Sequence, residues 1–278
     1  MQQQFCLKSL FICKRLESKT DNTVKYLYEL DDGNHIESVL MEYNHGNTIC
    51  VSTQVGCKMG CRFCASTIAG FKRNLLTSEI LLQVYEAEKD SGRHISGVVL
   101  MGIGEPLDNY DNVLGFLNLI SCPEGANISL RHVSLSTCGL VPKIYELAKL
   151  KLGLTLSISL HATNNLKRSE IMPINNKYDV YELIKASKDY FKETGRRISF
   201  EYSLIDGVND SKGYAKERIR ADSAEPKSND DLKRLGITRI LPSVKGKDSV
   251  INGIMNISEY FITVNPKCKN TIAELSRR

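Results

Sequence analysis

The sequence predicts an α/β protein: a partial barrel of parallel β/α units preceded by a short antiparallel β-meander. Three observations carry that prediction. Residues 23–53 alternate apolar and polar side chains between tight-turn sequences. From residue 78 to residue 204, short β-rich runs alternate with helical runs at the spacing that makes strands parallel. Polar clusters then recur at the ends of three successive strand segments, the rim where barrels of this kind collect their chemistry.

Residues 1–22 show no sustained period; they leave room for a short helix and otherwise form an unpatterned N-terminal segment. Residues 24–30 alternate as a strand, Asp31-Asp32-Gly33-Asn34 is strong turn chemistry, and 36–43 form the returning strand. Asn44-His45-Gly46-Asn47 turns the chain into a third strand, 48–53, completing a meander over 23–53. Beyond a cysteine loop, 78–88 reads as a helix with Thr77 as its N-cap. A mostly β-branched buried strand covers 95–101, and a helix covers 109–120. The pattern repeats as strand 131–137, helix 142–149 with Pro142 in its first turn, and strand 154–160. Helix 178–193, closed by Gly195, leads to strand 197–204. With the strand before the cysteines these make about five units over 54–210, an incomplete barrel rather than an eight-fold one. Residues 211–278 lose this periodicity and form an atypical basic tail.

A chain of 278 residues, 42% of them hydrophobic, can bury a large core. Its nine cysteines come with no signal-peptide pattern and no apolar run long enough to span a membrane. The expectation is a reducing, cytoplasmic setting, where clustered cysteines mean metal or redox chemistry rather than disulfides. The formal charge of +5 weakly favours a polyanionic partner. Residues 211–278, however, hold 14 Lys/Arg against 8 Asp/Glu, and residues 1–210 hold 23 against 24. The excess is in the tail, so net charge alone does not identify a nucleic-acid binder.

The most informative stretch is Cys57-Lys58-Met59-Gly60-Cys61-Arg62-Phe63-Cys64. Three thiolates in a C-x3-C-x2-C run suit the soft iron of a cubane iron–sulfur cluster. Three ligands for four irons leave one iron open to a small molecule, which suggests a working cluster rather than a sealed electron carrier. Half a zinc site, or three unrelated thiols, are the competing readings. Zinc sites favour four ligands in paired spacings, and no second C-x-x-C or C…H pair lies nearby.

Gly102-Ile103-Gly104-Glu105-Pro106 directly follows strand 95–101. Its glycines permit close backbone approach, and Glu105 offers an acceptor to an ammonium group. Ser136-Thr137-Cys138-Gly139 ends the next strand, and Ser159-Leu160-His161 the one after. Each cluster alone fits an ordinary turn or a structural histidine. Three at successive strand ends, downstream of a cysteine loop, point to a common site.

The stretch from about residue 20 to residue 210 resembles the RlmN/Cfr family of radical S-adenosylmethionine (SAM) enzymes that methylate adenine in 23S rRNA and tRNA, RlmN-type at C2 and Cfr at C8. The resemblance rests on IESVLMEYNHGNTICVSTQVGCKMGCRFCAST, MGIGEPLDNYDNV, LSTCGLVPKIYELA, SISLHATNN with RSEIMPINNKY, and RRISFEYSLIDGVND. It implies a radical SAM barrel, with a 4Fe–4S cluster on Cys57, Cys61 and Cys64. It also implies a SAM site lined by Gly104, Glu105, Ser136, Ser159, Leu160 and His161. Cys50 matches the family's cysteine seven residues before the cluster, and Glu37 its proposed proton acceptor. The partners implied are RNA, an external electron donor such as flavodoxin or ferredoxin, and no membrane, with the chain a monomer.

The residue types fit the chemistry that the resemblance implies. C2 of adenine lies between two ring nitrogens and is too electron-poor to attack the methyl group of SAM directly. The family is understood to methylate one of its own cysteines with a first SAM. A 5′-deoxyadenosyl radical from a second SAM then abstracts hydrogen from that methyl group, and the carbon radical adds to C2. The resulting protein–RNA thioether is opened by a thiolate, the role implied for Cys50; a buried strand cysteine is the alternative reading of that residue. The family also carries a helical RNA-binding domain before the meander and a terminal Cys-Gly-Gln bearing the methyl-accepting cysteine. In residues 211–278 the only cysteine is Cys268, between lysines and without Gly-Gln after it, so that role is not assigned to it. The tail reads as a truncated or out-of-frame terminus. The expected function is C2 methylation of adenosine. The alternatives are C8 methylation and a remnant that binds cluster and SAM without transferring methyl.

Overall fold

The computed structural model describes residues 10–205 and 208–209, together with the backbone of short strands at 220–221, 241–242 and 260–264. The meander comprises β1 (Leu10–Glu17), β2 (Val24–Leu30), β3 (His35–Tyr43) and β4 (Gly46–Cys50). The chain continues through β5 (Gln54–Val55), the cysteine loop and β6 (Arg73–Asn74). Then come α1 (Thr77–Ser91), β7 (Ile95–Leu100), α2 (Tyr110–Ile120), β8 (Val133–Thr137), α3 (Val141–Lys149) and β9 (Thr155–Ser159). Helices α4 (Asn165–Ile171) and α5 (Val180–Thr194) lead to β10 (Ile198–Leu204); β11 (Arg220–Ala221), β12 (Leu241–Pro242) and β13 (Tyr260–Val264) follow.

One nine-stranded sheet runs in the order β1-β2-β3-β4-β7-β8-β9-β10-β13. Its first four strands are antiparallel and the rest, from β4 onward, are parallel. The α/β class and the meander-to-parallel transition are therefore those expected from the sequence. The parallel strands have helices between them because a parallel return needs a crossover, and α1, α2, α3 and the α4–α5 pair supply it.

The sheet separates two chemistries by its pleat. One face is apolar: Leu40, Ile49, Val98, Leu100, Leu135, Leu156 and Ile158 are buried in a single core with Ile80, Val84, Phe116, Ile144 and Leu183 of the helices. The alternate positions carry Cys50, Val99, Ser134, Ser136, Ser157, Ser159 and Glu201, and so give the opposite face its hydroxyls, thiol and carboxylate. Helix α5 shows how locally the elements are specified: Asp179 and Glu182 form a reciprocal capping box, and Gly195 closes the helix at φ 64°.

The structure differs from expectation at several places. Residues 10–17, read as unpatterned, form β1. This is an edge strand, mostly exposed, whose register shifts between Ile12 and Lys14. A bulge of that kind breaks the period-two signal. The third meander strand stops at Cys50 rather than continuing to 53, because residues 54–55 pair with 73–74 to close the cysteine loop. Thr77 is the first residue of α1 and not its cap; the Glu79 carboxylate accepts the Leu76 N–H at 2.8 Å instead. The tail contributes β13, which pairs parallel with β10 from Phe200↔Tyr260 to Leu204↔Val264. Cys268 and most of 211–278 lie outside the described residues.

Candidate active site

The cysteine loop is shaped by glycines. Gly56 has φ 72°, and a Cβ there would lie 1.7 Å from the Gly70 carbonyl oxygen, so no other residue fits. Gly60, at φ 73°, turns the chain between Met59 and Cys61. The Arg62 N–H donates to the Ile171 carbonyl at 2.9 Å, docking the loop on the end of α4. Cys64 N–H donates to Cys61 O at 3.1 Å, and Thr67 Oγ1 donates to Cys64 O at 2.9 Å. Cys61 is buried with Cys138, Ala162, Ile171 and Met172, and Met59 and Cys64 pack against this group.

All three loop cysteines are free thiols. Burial is the main cause that raises the pKa of Cys57 and of Cys61, the latter to about 12, and the neighbouring cysteines add to it. The Cys57 and Cys61 sulfurs are thus desolvated, and a metal would displace their protons. Among the described residues, the one Cys/His/Asp/Glu group tight enough to cage a single ion is the exposed Cys13, Glu29 and His35 on the meander. The loop cysteines are not such a group. A cubane, which takes each thiolate on a different iron, needs wider spacing than one ion does. The donor set fits a three-thiolate 4Fe–4S cluster and not a single-zinc cage.

The strand-end residues predicted from the sequence surround this loop. The segment Gly102–Gly104 lies flat against residues 51–54: Thr53 and Gln54 N–H groups donate to Ile103 O at 2.9 and 3.1 Å. A Cβ on Gly102 would sit 2.7 Å from Val51 backbone atoms, and one on Gly104 2.6 Å from Gln54 Cβ. Glu105 is buried; its Oε1 accepts Leu107 N–H at 3.0 Å and its Oε2 accepts Cys138 N–H at 2.8 Å. Burial raises its pKa, against the opposing effect of these backbone donors. Each oxygen keeps further acceptor capacity for a cationic ligand group.

Ser136 and Ser159 come together across β8 and β9, their Oγ atoms 3.4 Å apart. Both donate to Glu201 Oε2 on β10 at 3.0 Å. Burial raises the Glu201 pKa while the two hydroxyls lower it. Leu160 differs from expectation: its side chain belongs to the apolar core, its N–H donates to Glu201 O at 3.0 Å and its carbonyl accepts from Arg168 Nε at 3.1 Å. His161 sits at φ 52°, an uncommon left-handed conformation, with its ring edge-on to Phe63 of the cysteine loop at 4.8 Å. Its Nδ1 accepts the Ser203 N–H at 3.0 Å, which puts the ring proton on Nε2. Burial, helped by the Arg168 charge, lowers its pKa to about 4, so the ring is neutral at pH 7.

Cys50 opposes Val39 on β3 and Val99 on β7, on the polar face of the sheet. Burial pushes its thiol to about 11, and the Glu201 charge adds to the rise, so the two groups sense one another. The thiolate role implied for Cys50 is therefore not met by a ready-made anion. It requires a base. Glu37 lies on the same face, two positions along β3 from Val39, where it pairs with Lys25 Nζ at 2.8 Å and stays well exposed.

The structure thus gathers Glu105, Ser136, Ser159, His161 and the cysteine loop, and sets Cys50 and Glu37 farther along the same face. It adds five residues that the sequence alone did not single out. Glu201 joins the serines. Gln54 is fully buried and accepts Glu105 N–H at 2.8 Å through Oε1, while its Nε2 donates to Asn74 and Asp108. Asp108 in turn pairs with Lys58 of the cysteine loop at 2.9 Å. Asn209 Nδ2 donates to His161 O at 2.7 Å and holds that strained residue. Arg168 bonds the strand-end carbonyls of Cys138, Ser159 and Leu160. Glu201 had a readable signal, a carboxylate inside the strand FEYSL; the others depend on contacts far apart in sequence.

Comparison with known proteins matches these features. The Radical SAM superfamily model matches residues 51–214. A second model, the Terminase RNAseH like domain, matches residues 163–278. Of the strands within that match, β10 and β13 belong to the same nine-stranded sheet as β4, the strand that leads towards the cysteine loop. The chain is 54% identical over 207 residues to a "Probable dual-specificity RNA methyltransferase RlmN" of Lachnoclostridium phytofermentans, covering 74% of this chain and 58% of that protein. A Clostridium novyi protein of the same description is 54% identical over 220 residues, covering 79% and 64%. The chain thus spans about three-fifths of the length of these curated relatives. The crystal structure of a radical SAM methyltransferase from Sphaerobacter thermophilus aligns with TM-score 0.74 and 32% identity, over 94% of this chain and 78% of that one.

Proposed function

This chain belongs to the radical SAM superfamily, grouping there with RlmN-type proteins, and from that premise we propose that it is an RNA methyltransferase acting at C2 of adenosine. The observation that carries the reading is the convergence of the three-cysteine loop with Glu105, Ser136, Ser159 and His161 at one rim of a parallel sheet whose polar face continues to Cys50. Bound together, a 4Fe–4S cluster and SAM supply a reductively generated carbon radical, the chemistry that an electron-poor C2 demands.

The chain's own residues provide the rest. Cys57, Cys61 and Cys64 hold the cluster. Glu105 takes the ammonium of the methionine part of SAM, and the glycines at 102 and 104 let the segment before it pack directly on residues 51–54. Ser136 and Ser159, oriented by Glu201, present hydroxyls to polar groups of the nucleoside part. His161 donates through Nε2 and closes against Phe63. Glu37, paired with Lys25 Nζ at 2.8 Å, is the base that relieves Cys50 of its proton when a thiolate is needed. Substrate adenosine must come from a loop or a flipped position, because stacking hides C2. An external donor such as a flavodoxin or ferredoxin supplies electrons, and the chain acts as a monomer in the cytoplasm. No helix among the described residues is long and apolar enough to cross a membrane.

A second reading starts from Cys268, the one cysteine of residues 211–278, which lies between Lys267 and Lys269 without the Gly-Gln that follows the family's methyl-accepting cysteine. In that reading this chain cleaves SAM without delivering methyl. Nucleoside mass spectrometry of RNA from a methyltransferase-null host expressing the chain tests both. 2-Methyladenosine that disappears in Cys50→Ala supports methyl transfer at C2. SAM cleavage with no methylated adenosine supports the second reading, and 8-methyladenosine overturns the C2 assignment.

A further inference from the structure

We propose that Arg168 is a built-in countercharge for the iron–sulfur cluster: a buried guanidinium kept free of any carboxylate, so that its field acts on Cys61 and raises the cluster's reduction potential. This assignment rests on the reading that Cys57, Cys61 and Cys64 hold a cluster.

Arg168 is the largest fully buried side chain among the described residues. Every acceptor around it is neutral. Its Nε donates to Leu160 O at 3.1 Å, Nη1 to Asn175 Oδ1 at 3.2 Å, and Nη2 to Cys138 O at 2.7 Å and Ser159 O at 3.1 Å. None of the ion pairs among the described residues includes it. Carbonyl dipoles satisfy its hydrogen bonds but leave its charge uncompensated, and a buried charge in that state is costly. The cost points to an anion that the polypeptide alone does not supply.

The position says which anion. Helix α4, which carries Arg168, ends at Ile171, whose carbonyl accepts the Arg62 N–H of the cysteine loop. Ile171 and Met172 pack in one cluster with Cys61 and Cys138. Arg168 Nη2 itself donates to the carbonyl of Cys138, the residue packed with Cys61 in that cluster. A 4Fe–4S core on three thiolates carries net negative charge, and one electron adds another. A fixed cation beside it stabilises the reduced state more than the oxidised one, and net charge is one of the settings of such potentials. Asn175 shows how the sequence keeps that cation unneutralised. An aspartate there would accept the same Nη1 bond and cancel the field, whereas the asparagine amide accepts it without charge.

The competing account makes Arg168 only a clamp on the strand-end carbonyls, and the two accounts part on charge. Wild-type chain, Arg168→Lys, Arg168→Gln, Asn175→Asp and Asn175→Leu are loaded anaerobically with iron and sulfide. Iron content and circular dichroism are checked, and the cluster midpoint potential is titrated by electron paramagnetic resonance. Arg168→Gln and Asn175→Asp are expected to shift the midpoint to lower potential at unchanged iron content. Arg168→Lys, which keeps the charge, and Asn175→Leu, which loses the same amide donors as the aspartate without adding charge, are expected to stay near wild type. The assignment is overturned if Asn175→Asp titrates with wild type, or if Arg168→Lys falls as far as Arg168→Gln. Should Arg168→Gln not fold, Asn175→Asp against Asn175→Leu decides with the guanidinium in place. Wild-type chain that takes up no cluster overturns the cluster reading and this one together, whereas a loaded wild type with unshifted variants overturns this one alone.

Discussion

Replacing Gly104 by alanine tests how the candidate SAM-binding rim is built. Gly104 has φ 110°, and an added Cβ would meet Gln54 Cβ at 2.6 Å, Gln54 Cγ at 2.8 Å and Gln54 N at 2.8 Å. These are not the far ends of a flexible chain: the Gln54 amide is anchored at Glu105 N, Asn74 and Asp108. A side chain forced into a glycine-only conformation costs about 1–3 kcal/mol. Overpacking against fixed atoms costs about 1–3 kcal/mol more. A loss of about 4 kcal/mol is therefore expected, which for a domain of this size lowers the melting temperature by about 8–16 °C. Gly33→Ala is the control, because Gly33 has φ 76° but nothing within 4 Å of the added Cβ; it should pay only the conformational part, about 1–3 kcal/mol. Thermal melts of the two apoproteins, followed by circular dichroism, make the comparison. If Gly104→Ala melts with Gly33→Ala, the close packing of the GIGE segment on residues 51–54 is not what demands glycine there.

Three further outcomes follow from other parts of the site. Alkylation of Cys50, followed by peptide mass spectrometry, should keep accelerating with pH towards about 11, since burial has raised the thiol from 9.0; a plateau near pH 9 would contradict its desolvation. His161 has a folded-state pKa of about 4 against an ordinary 6.5, so its unfolded form binds the extra proton in that window. Apoprotein stability is thus expected to be present above pH 6.5 and to fall by about 3 kcal/mol as pH drops towards 4; His161→Gln should flatten that slope in denaturant titrations. Asn209→Ala strips partners from Ile205 N–H, His161 O and Ser203 O. At about 1–3 kcal/mol per orphaned buried group it should destabilise by several kcal/mol, where a surface change costs almost nothing; wild-type stability would show that His161 needs no such support.

The sequence was most legible where local chemistry repeats. Strands 24–30 and 95–101 and the helix before Gly195 were readable because alternation, β-branching and a left-handed glycine act within a few residues of one another. β1 escaped because its bulge breaks the alternation and its edge position leaves most side chains exposed. Helix α4 escaped because one short helix of seven residues, capped by Asn164, carries little periodic signal. In the site, the residues to which the sequence points lie in contiguous motifs: the cysteines, the GIGEP segment, Ser136, Ser159 and His161. Those that act through long-range bonds were not legible. Gln54 reaches Glu105 across 51 positions, and Glu201 reaches Ser136 across 65. The raised pKa of Cys50 was equally hidden, because desolvation depends on the strands that close around it.

The central claim is that the cysteine loop holds a cluster that works on SAM, and anaerobic SAM cleavage tests it most directly. Chain loaded with iron and sulfide, given dithionite or a reduced flavodoxin, is expected to convert SAM to 5′-deoxyadenosine and methionine, measured by liquid chromatography and mass spectrometry. Cys57→Ala, Cys61→Ala and Cys64→Ala, which each remove one thiolate, should lose both iron and 5′-deoxyadenosine. Iron content and 5′-deoxyadenosine yield that are unchanged in all three variants would contradict the account.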